Sequence, residues 1–148
     1  MTKHQEKKAY FYLLKKSCKN KMICEITEKY FDDNKSVCIF TGSKEDAVCL
    51  DSMLWSFKQT SFIPHDIVDS PESESAAPVK IIYDEIDTIH TDVLIIARHI
   101  NKANILFLGK FHKIIDFAEL WDDNLKLLSR ERYSLLKDLG FSLETKDI

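Results

Sequence analysis

Two short apolar runs alternate with two helix-like segments in the first third of the chain, and this order strongly constrains the fold. The continuous apolar runs at 10–14 and 37–40 predict buried strands. Segments 18–31 and 43–55 carry apolar residues at helical spacing. This order is typical of an α/β domain with a largely parallel sheet, because a helix connects each strand to its parallel neighbour.

The rest of the chain extends the pattern. It predicts buried strands at 79–83 and 93–97, an outer strand at 111–117, and a helix at 122–139 that Gly140 ends. About five strands with three or four helices predict a three-layer α/β/α sandwich with a mostly parallel central sheet. Such a fold is Rossmann-like, but it lacks a nucleotide-binding motif.

Length and composition restrict the class of protein. The 148 residues suit one domain, 1–148, with a charged N-terminal extension at 1–9 and an acidic, Ser-rich surface loop at 69–78. Lysine and arginine total 21 against 24 acidic residues, so the net charge of −3 argues against a protein that coats nucleic acid. DNA would be reached only through a local patch or through a partner.

The lack of a recognisable membrane span or signal peptide and the pattern of cysteines favour a cytoplasmic location. No apolar run approaches the roughly 20 residues of a membrane span, and the charged N-terminus is not followed by the apolar core of a signal peptide. The four cysteines form no C-x-x-C pair and are expected to be buried, reduced thiols.

Residues that could perform catalysis are sparse. The five histidines are scattered without metal-ligand spacing, and no serine or cysteine lies in a nucleophile-elbow context. We therefore expect neither enzyme activity nor a cofactor or metal. The alternative is a nucleotide-binding enzyme or sensor that uses the turn Gly42-Ser43-Lys44, which follows a strand and opens a helix, where open α/β sheets often bind phosphates. Its single glycine makes that signal weak.

An aromatic segment at 50–65 favours a contact surface. Leu50 and Leu54 face inward on the predicted helix, which ends on the large side chain of Trp55. A short polar gap leads to Phe62 and then Pro64, whose missing N–H suits a loop or a sheet edge. Aromatic side chains beside such a breaker are more typical of a contact surface than of a catalytic loop.

The C-terminal helix carries two stripes of side chains. One is basic around a single aromatic ring and contains Lys126, Arg130, Tyr133 and Lys137. This face suits an acidic peptide. The guanidinium can bind a carboxylate, and the ring, together with nearby Phe141, can contact an apolar side chain. A solvated helix face explains the same pattern equally well. The second stripe is apolar and is interrupted by one arginine. Its residues are Leu125, Leu128, Arg132, Leu135 and Leu139.

Several short motifs occur in an order that spans nearly the whole chain. They are FYLL at 11–14, CEI at 24–26, LDxxLW at 50–55, SFIPH at 61–65, PV at 78–79, and SRERY with GF at 129–141. With these motifs the chain resembles the chi subunit family of bacterial DNA polymerase III, an accessory protein of the clamp-loader complex. The resemblance implies a non-catalytic α/β protein with two protein partners.

The resemblance also implies where those partners bind. The psi subunit would bind Phe62 with its neighbours Ile63 and Pro64. The acidic C-terminal tail of single-stranded-DNA-binding protein (SSB) would bind a second face, so that the replicase meets DNA only indirectly. The matching positions for the tail are Arg130, Tyr133 and Phe141, with Trp55 and Lys137 as further contributors.

Two departures from the family pattern bear on the tail site. Ser134 stands where the best-known members have a lysine, and Lys137 is expected to compensate for it about one turn along. Glu119 is expected to lie near the site, where its charge would repel an acidic tail. Both departures predict weaker tail binding than is usual in the family.

Overall fold

Seven parallel strands form one central sheet in the computed structural model, which describes residues 6–56, 62–73 and 75–147. In the sheet they follow the order β3-β4-β2-β5-β6-β1-β7. Their bounds are β1 Lys8–Leu14, β2 Val37–Thr41, β3 His65–Ile67, β4 Val79–Ile82, β5 Val93–Ala97, β6 Lys113–Glu119 and β7 Ser142–Lys146.

In the described part of the chain, four helices cover the two faces of the sheet. Helices α1 (Lys19–Asp32) and α2 (Lys44–Ser56) pack on one face, whereas α3 (Ile105–Leu108), which follows a 3₁₀ turn at Lys102–Asn104, and α4 (Asp123–Asp138) pack on the other. The predicted α/β fold with a central parallel sheet is confirmed. Strands β2 and β5 are buried on both faces, which explains why their sequences are continuously apolar.

The structure corrects the predicted position of β6. The sequence at 111–117 alternates partly and predicted an outer strand, but β6 lies inside the sheet between β5 and β1. One polar residue behind the apparent alternation is Asp116, which is fully buried against Arg132 of α4. A buried ion pair therefore imitated the pattern of a solvent-exposed strand.

The two edge strands were not predicted. Strand β3 has only three residues, and β7 is almost entirely exposed, so neither has the apolar run of a core strand. The first strand starts at Lys8, earlier than expected, so Lys8 and Ala9 of the predicted extension pair with β6 and β7. Within the described residues, no helix is both long and apolar enough to cross a membrane.

Candidate functional site

Helix α4 is fixed at both ends by local capping. The Asp122 carboxylate accepts a hydrogen bond of 3.0 Å from the backbone N–H of Leu125 at the start of the helix. At the other end Gly140 has φ +93°, and the Phe141 N–H donates to the Leu136 carbonyl oxygen. The predicted helix and its glycine cap are confirmed.

A buried polar network beneath α4 explains the arginine that interrupts its apolar stripe. Arg132 donates from Nε to Oδ2 of Asp116 and from Nη2 to the Phe117 carbonyl oxygen, both at 3.0 Å. Burial raises the pKa of the Asp116 carboxyl, although Arg132 and Lys19 oppose that rise. The network fixes the side of α4 that faces β6, and therefore which residues the helix presents outward.

The outward side of α4 borders a small cavity of about 160 Å³, the α4 cavity. Its apolar wall includes the ring of Phe11 from β1, which lies 5.2 Å from the ring of Tyr133. Tyr133 remains 38 % exposed, so part of its ring is available to a ligand. The lining residues are Phe11, Ala118, Leu120, Lys126, Ser129, Arg130, Tyr133 and Thr145.

Apolar walls and nearby cations define what this cavity can bind. Lys126 and Arg130 supply two positive charges at its margin, and none of the described residues that line it carries a carboxylate. A guanidinium can bind a carboxylate through two parallel hydrogen bonds, while an apolar side chain fills the space against Tyr133. The arrangement therefore suits a peptide that carries a carboxylate next to an apolar side chain.

The structure brings together only some of the residues predicted for the tail site. Arg130 and Tyr133 lie side by side on the cavity. Lys137 is exposed one turn beyond Tyr133 on the same helix but does not line the cavity. Phe141 is only 4 % exposed and belongs to the core beneath α4, so its direct contact with a partner is limited.

Glu119 lies next to lining residues of the cavity, as expected, but its side chain points away from it. Successive residues of a strand point to opposite faces of the sheet, so Ala118 faces the cavity and Glu119 faces α1. There Oε2 of Glu119 lies 3.9 Å from Nζ of Lys19. The carboxylate is thus paired across the sheet from Arg130 and does not repel a ligand in the cavity.

Trp55 lies on the other face of the sheet from Tyr133, because α2 and α4 cover opposite faces. The Trp55 ring lies 5.5 Å from the ring of Phe62 and 4.6 Å from that of His65. Trp55 is 55 % exposed and Phe62 is 65 % exposed, and together they form the Trp55–Phe62 patch. The structure therefore groups Trp55 with the residues predicted for psi and not with those predicted for the tail.

Buried neighbours hold the Trp55–Phe62 patch in place. Ile63 is buried in the core and Pro64 is half-buried, so of the three residues predicted for psi only Phe62 projects fully. The His65 ring lies between the Ile63 carbonyl oxygen, at 2.7 Å, and Asp51 of α2, at 3.2 Å. Residues 57–61, including Ser61 of the SFIPH motif, lie outside the described residues.

The turn proposed for nucleotide binding is already satisfied by its own residues. The Ser43 hydroxyl accepts from the Asp46 N–H at 3.1 Å and so caps α2. Glu45 and Asp46 add negative charge to the first turn of that helix. Phosphate would meet a capped, acidic helix start, which disfavours its binding.

Metal ligands and reactive thiols contribute little to either surface. Among the described residues, no group of histidine, cysteine or acidic side chains is placed to hold a metal ion. The four cysteines are unpaired, and Cys49 is exposed, contrary to the expectation that all are buried. Burial raises the pKa of the Cys24 thiol to about 11, so this cysteine is protonated at neutral pH.

The sequence did not indicate several residues of the α4 cavity. Phe11 was identified as part of a buried strand and of the FYLL motif but not as a site residue, and Leu120 was not singled out. Thr145 lies on β7, the exposed edge strand, so its contribution depends on a strand that lacks an apolar run. Strand alternation could have placed Phe11 and Ala118 on one face, but the pairing of β1 with β6 was needed to bring them together.

Comparisons with known proteins agree with one another. The family model described as "DNA polymerase III chi subunit, HolC" matches residues 7–144. The chain is 31% identical to DNA polymerase III subunit chi of Escherichia coli K12, covering 94% of this chain and 97% of that protein. It is 28% identical to the subunit chi of Haemophilus influenzae Rd, covering 96% and 98% respectively.

A solved structure shares the fold at low identity. The C-terminal domain of the DEAD-box protein Dbp5 superposes with a TM-score of 0.68 at 15% identity, covering 97% of this chain and 91% of that one. This likeness concerns the fold alone. The full-length family match and the relatives above decide the assignment: the chain belongs to the DNA polymerase III chi subunit family, a family of accessory subunits of that replication enzyme.

Proposed function

We propose that this protein is a non-catalytic bridge within DNA polymerase III. As a single domain, it binds the psi subunit of the clamp loader through the Trp55–Phe62 patch and the acidic C-terminal tail of SSB through the α4 cavity. The bridge would connect the replicase to DNA that SSB coats, without contacting DNA itself. The protein would perform this role in the cytoplasm.

The observation that carries the proposal is the α4 cavity. It combines a half-exposed tyrosine, apolar walls and the guanidinium of Arg130, which is the chemistry that an acidic, apolar-ended peptide requires. The Trp55–Phe62 patch supports the second half, because two large exposed rings in contact are typical of a protein interface. The opposite faces of the sheet hold the two surfaces, so both partners can bind at once.

Calorimetric titration with a synthetic tail peptide tests the tail site. The peptide has aspartates ahead of an apolar C-terminal residue, and we expect micromolar affinity, about −8 kcal/mol, that weakens as salt is added. Arg130→Ala should weaken binding by about tenfold or more, because it removes a hydrogen bond to a charged group.

The matched control for that variant is Arg98→Ala, which removes an arginine that packs over the Phe40 ring away from the cavity. It should bind the peptide as the wild type does. If the wild type fails to bind at low salt, or if Arg130→Ala binds unchanged, the tail assignment is wrong.

A further inference from the structure

A basic stretch of the chain begins beside the α4 cavity and has no role in the bridge described above. Residues 15–21 connect β1 to α1 and begin that helix, and their sequence KKSCKNK contains four lysines and no acidic residue. Strands β1 and β6 are parallel neighbours, so this connection and the start of α4 both lie at the carboxyl ends of the strands.

A backbone hydrogen bond fixes the connection to the cavity wall. The N–H of Leu120, a lining residue, donates to the carbonyl oxygen of Leu14 at 2.8 Å, one residue before Lys15. Lys15 therefore follows directly from the point where the two strands meet. Lys126, the other cation of the cavity, lies one turn before Arg130 and is therefore nearer the start of α4.

The lysines of this stretch differ in how far they are already paired. Lys19 is half-buried and lies near Glu119. Lys15, Lys16 and Lys21 are exposed, and among the described residues none of them forms an ion pair. Two exposed acidic residues also lie at this end of the strands: Asp123 begins α4 and Asp147 follows β7.

A peptide anchored in the α4 cavity has two directions in which to leave it. Towards the far end of α4 it would meet a larger cavity of about 480 Å³, which Arg130 also lines. Glu131 and Asp138 place two carboxylates in that cavity, and Lys102 adds one positive charge. The cavity is therefore mixed in charge, whereas residues 15–16 offer lysines alone. Over Leu120 the peptide would instead meet the exposed lysines at 15–16.

We propose that Lys15 and Lys16 bind the acidic residues that precede the apolar end of the SSB tail, so that the peptide leaves the cavity over Leu120. This inference rests on the proposed function, because it assigns a direction to the same peptide. The two lysines also replace the charge that Ser134 removes, in a different place from Lys137. Long-range attraction by exposed lysines is screened by salt, which makes the contribution measurable.

Calorimetric titration of four proteins tests the direction: the wild type, K15Q/K16Q, K29Q/K35Q and K137Q. Lys29 and Lys35 are exposed near the end of α1 and the start of β2, at the amino-terminal ends of the strands. Their double variant therefore removes the same charge far from the cavity. Each protein is titrated with the aspartate-containing peptide and with the same peptide carrying asparagines. Glutamine removes the charge, is only one atom shorter than lysine, and has a similar helix propensity.

We expect K15Q/K16Q to weaken binding of the aspartate peptide by about three- to tenfold, since each exposed ion pair contributes little alone. The loss should disappear with the asparagine peptide and shrink at high salt. K29Q/K35Q should match the wild type, and K137Q should lose less than K15Q/K16Q.

Three results would overturn the inference. In the first, K15Q/K16Q loses no more affinity for the aspartate peptide than K29Q/K35Q does. In the second, K137Q loses more affinity than K15Q/K16Q, and in the third, K15Q/K16Q loses the same affinity for both peptides. If any of these occurs while the wild type binds the peptide and Arg130→Ala binds it more weakly, the direction is wrong and the tail site stands. If the wild type binds neither peptide, the proposed function fails and this inference fails with it.

Discussion

Replacing Asp116 by Ala should lower the free energy of unfolding by about 3–5 kcal/mol, the cost of leaving a buried guanidinium without its counter-ion. Arg132 is almost completely inaccessible to solvent and donates to Asp116 at 3.0 Å. The substitution also leaves the Phe117 N–H without its 2.7 Å acceptor on Asp116. Urea unfolding followed by circular dichroism measures the loss.

The double variant Asp116→Leu/Arg132→Met is the control for this prediction. It removes both charges and keeps apolar volume at the contact, so it should be more stable than Asp116→Ala. Equal stability of the two variants would show that the cost does not come from an unpaired charge. A loss below about 1 kcal/mol in Asp116→Ala would contradict the account of the network itself.

Phe62→Ala should weaken binding of psi by about 2 kcal/mol or more, roughly thirtyfold, as expected for an aromatic side chain at the centre of an interface. The ring of Phe62 is mostly exposed yet packs on Trp55, so it can enter a partner pocket at little cost in side-chain ordering. Titration of purified psi into each variant measures the change.

Leu106→Ala is the matched control for Phe62→Ala. Leu106 is a large apolar side chain that is more exposed than Phe62, and it lies on α3 at the other face of the sheet. Its replacement should leave psi binding unchanged. Similar losses in both variants would indicate nonspecific hydrophobic association and would remove the case for the Trp55–Phe62 patch.

The sequence was sufficient to predict the layers of the fold. Apolar runs identify a strand that is buried on both faces, such as β2, and helical spacing identifies α4 with its cap at Gly140. Edge strands follow different rules, because β7 is solvated and β3 has three residues, so neither carries that signal. Asp116 misled the placement of β6, since a buried carboxylate with a partner looks like a solvent-exposed residue in the sequence.

The candidate surfaces were predictable only in part, for a reason of geometry. Arg130 and Tyr133 lie on one helix, so their spacing alone places them on one face. Trp55 lies on a different helix, and the sequence does not show on which side of the sheet that helix packs. The structure places α2 and α4 on opposite faces, which separates Trp55 from Tyr133 and joins it to Phe62.

The central claim is that one domain binds two partners at separate surfaces, and a capture experiment tests it directly. Psi is immobilised, this protein is added, and retention of a labelled SSB tail peptide is measured for the wild type, Phe62→Ala and Arg130→Ala. We expect the wild type to retain the peptide. Phe62→Ala should lose attachment to psi but bind free peptide normally, and Arg130→Ala should attach to psi without retaining peptide. Loss of both partners in either variant, in protein that remains folded, would contradict separate surfaces.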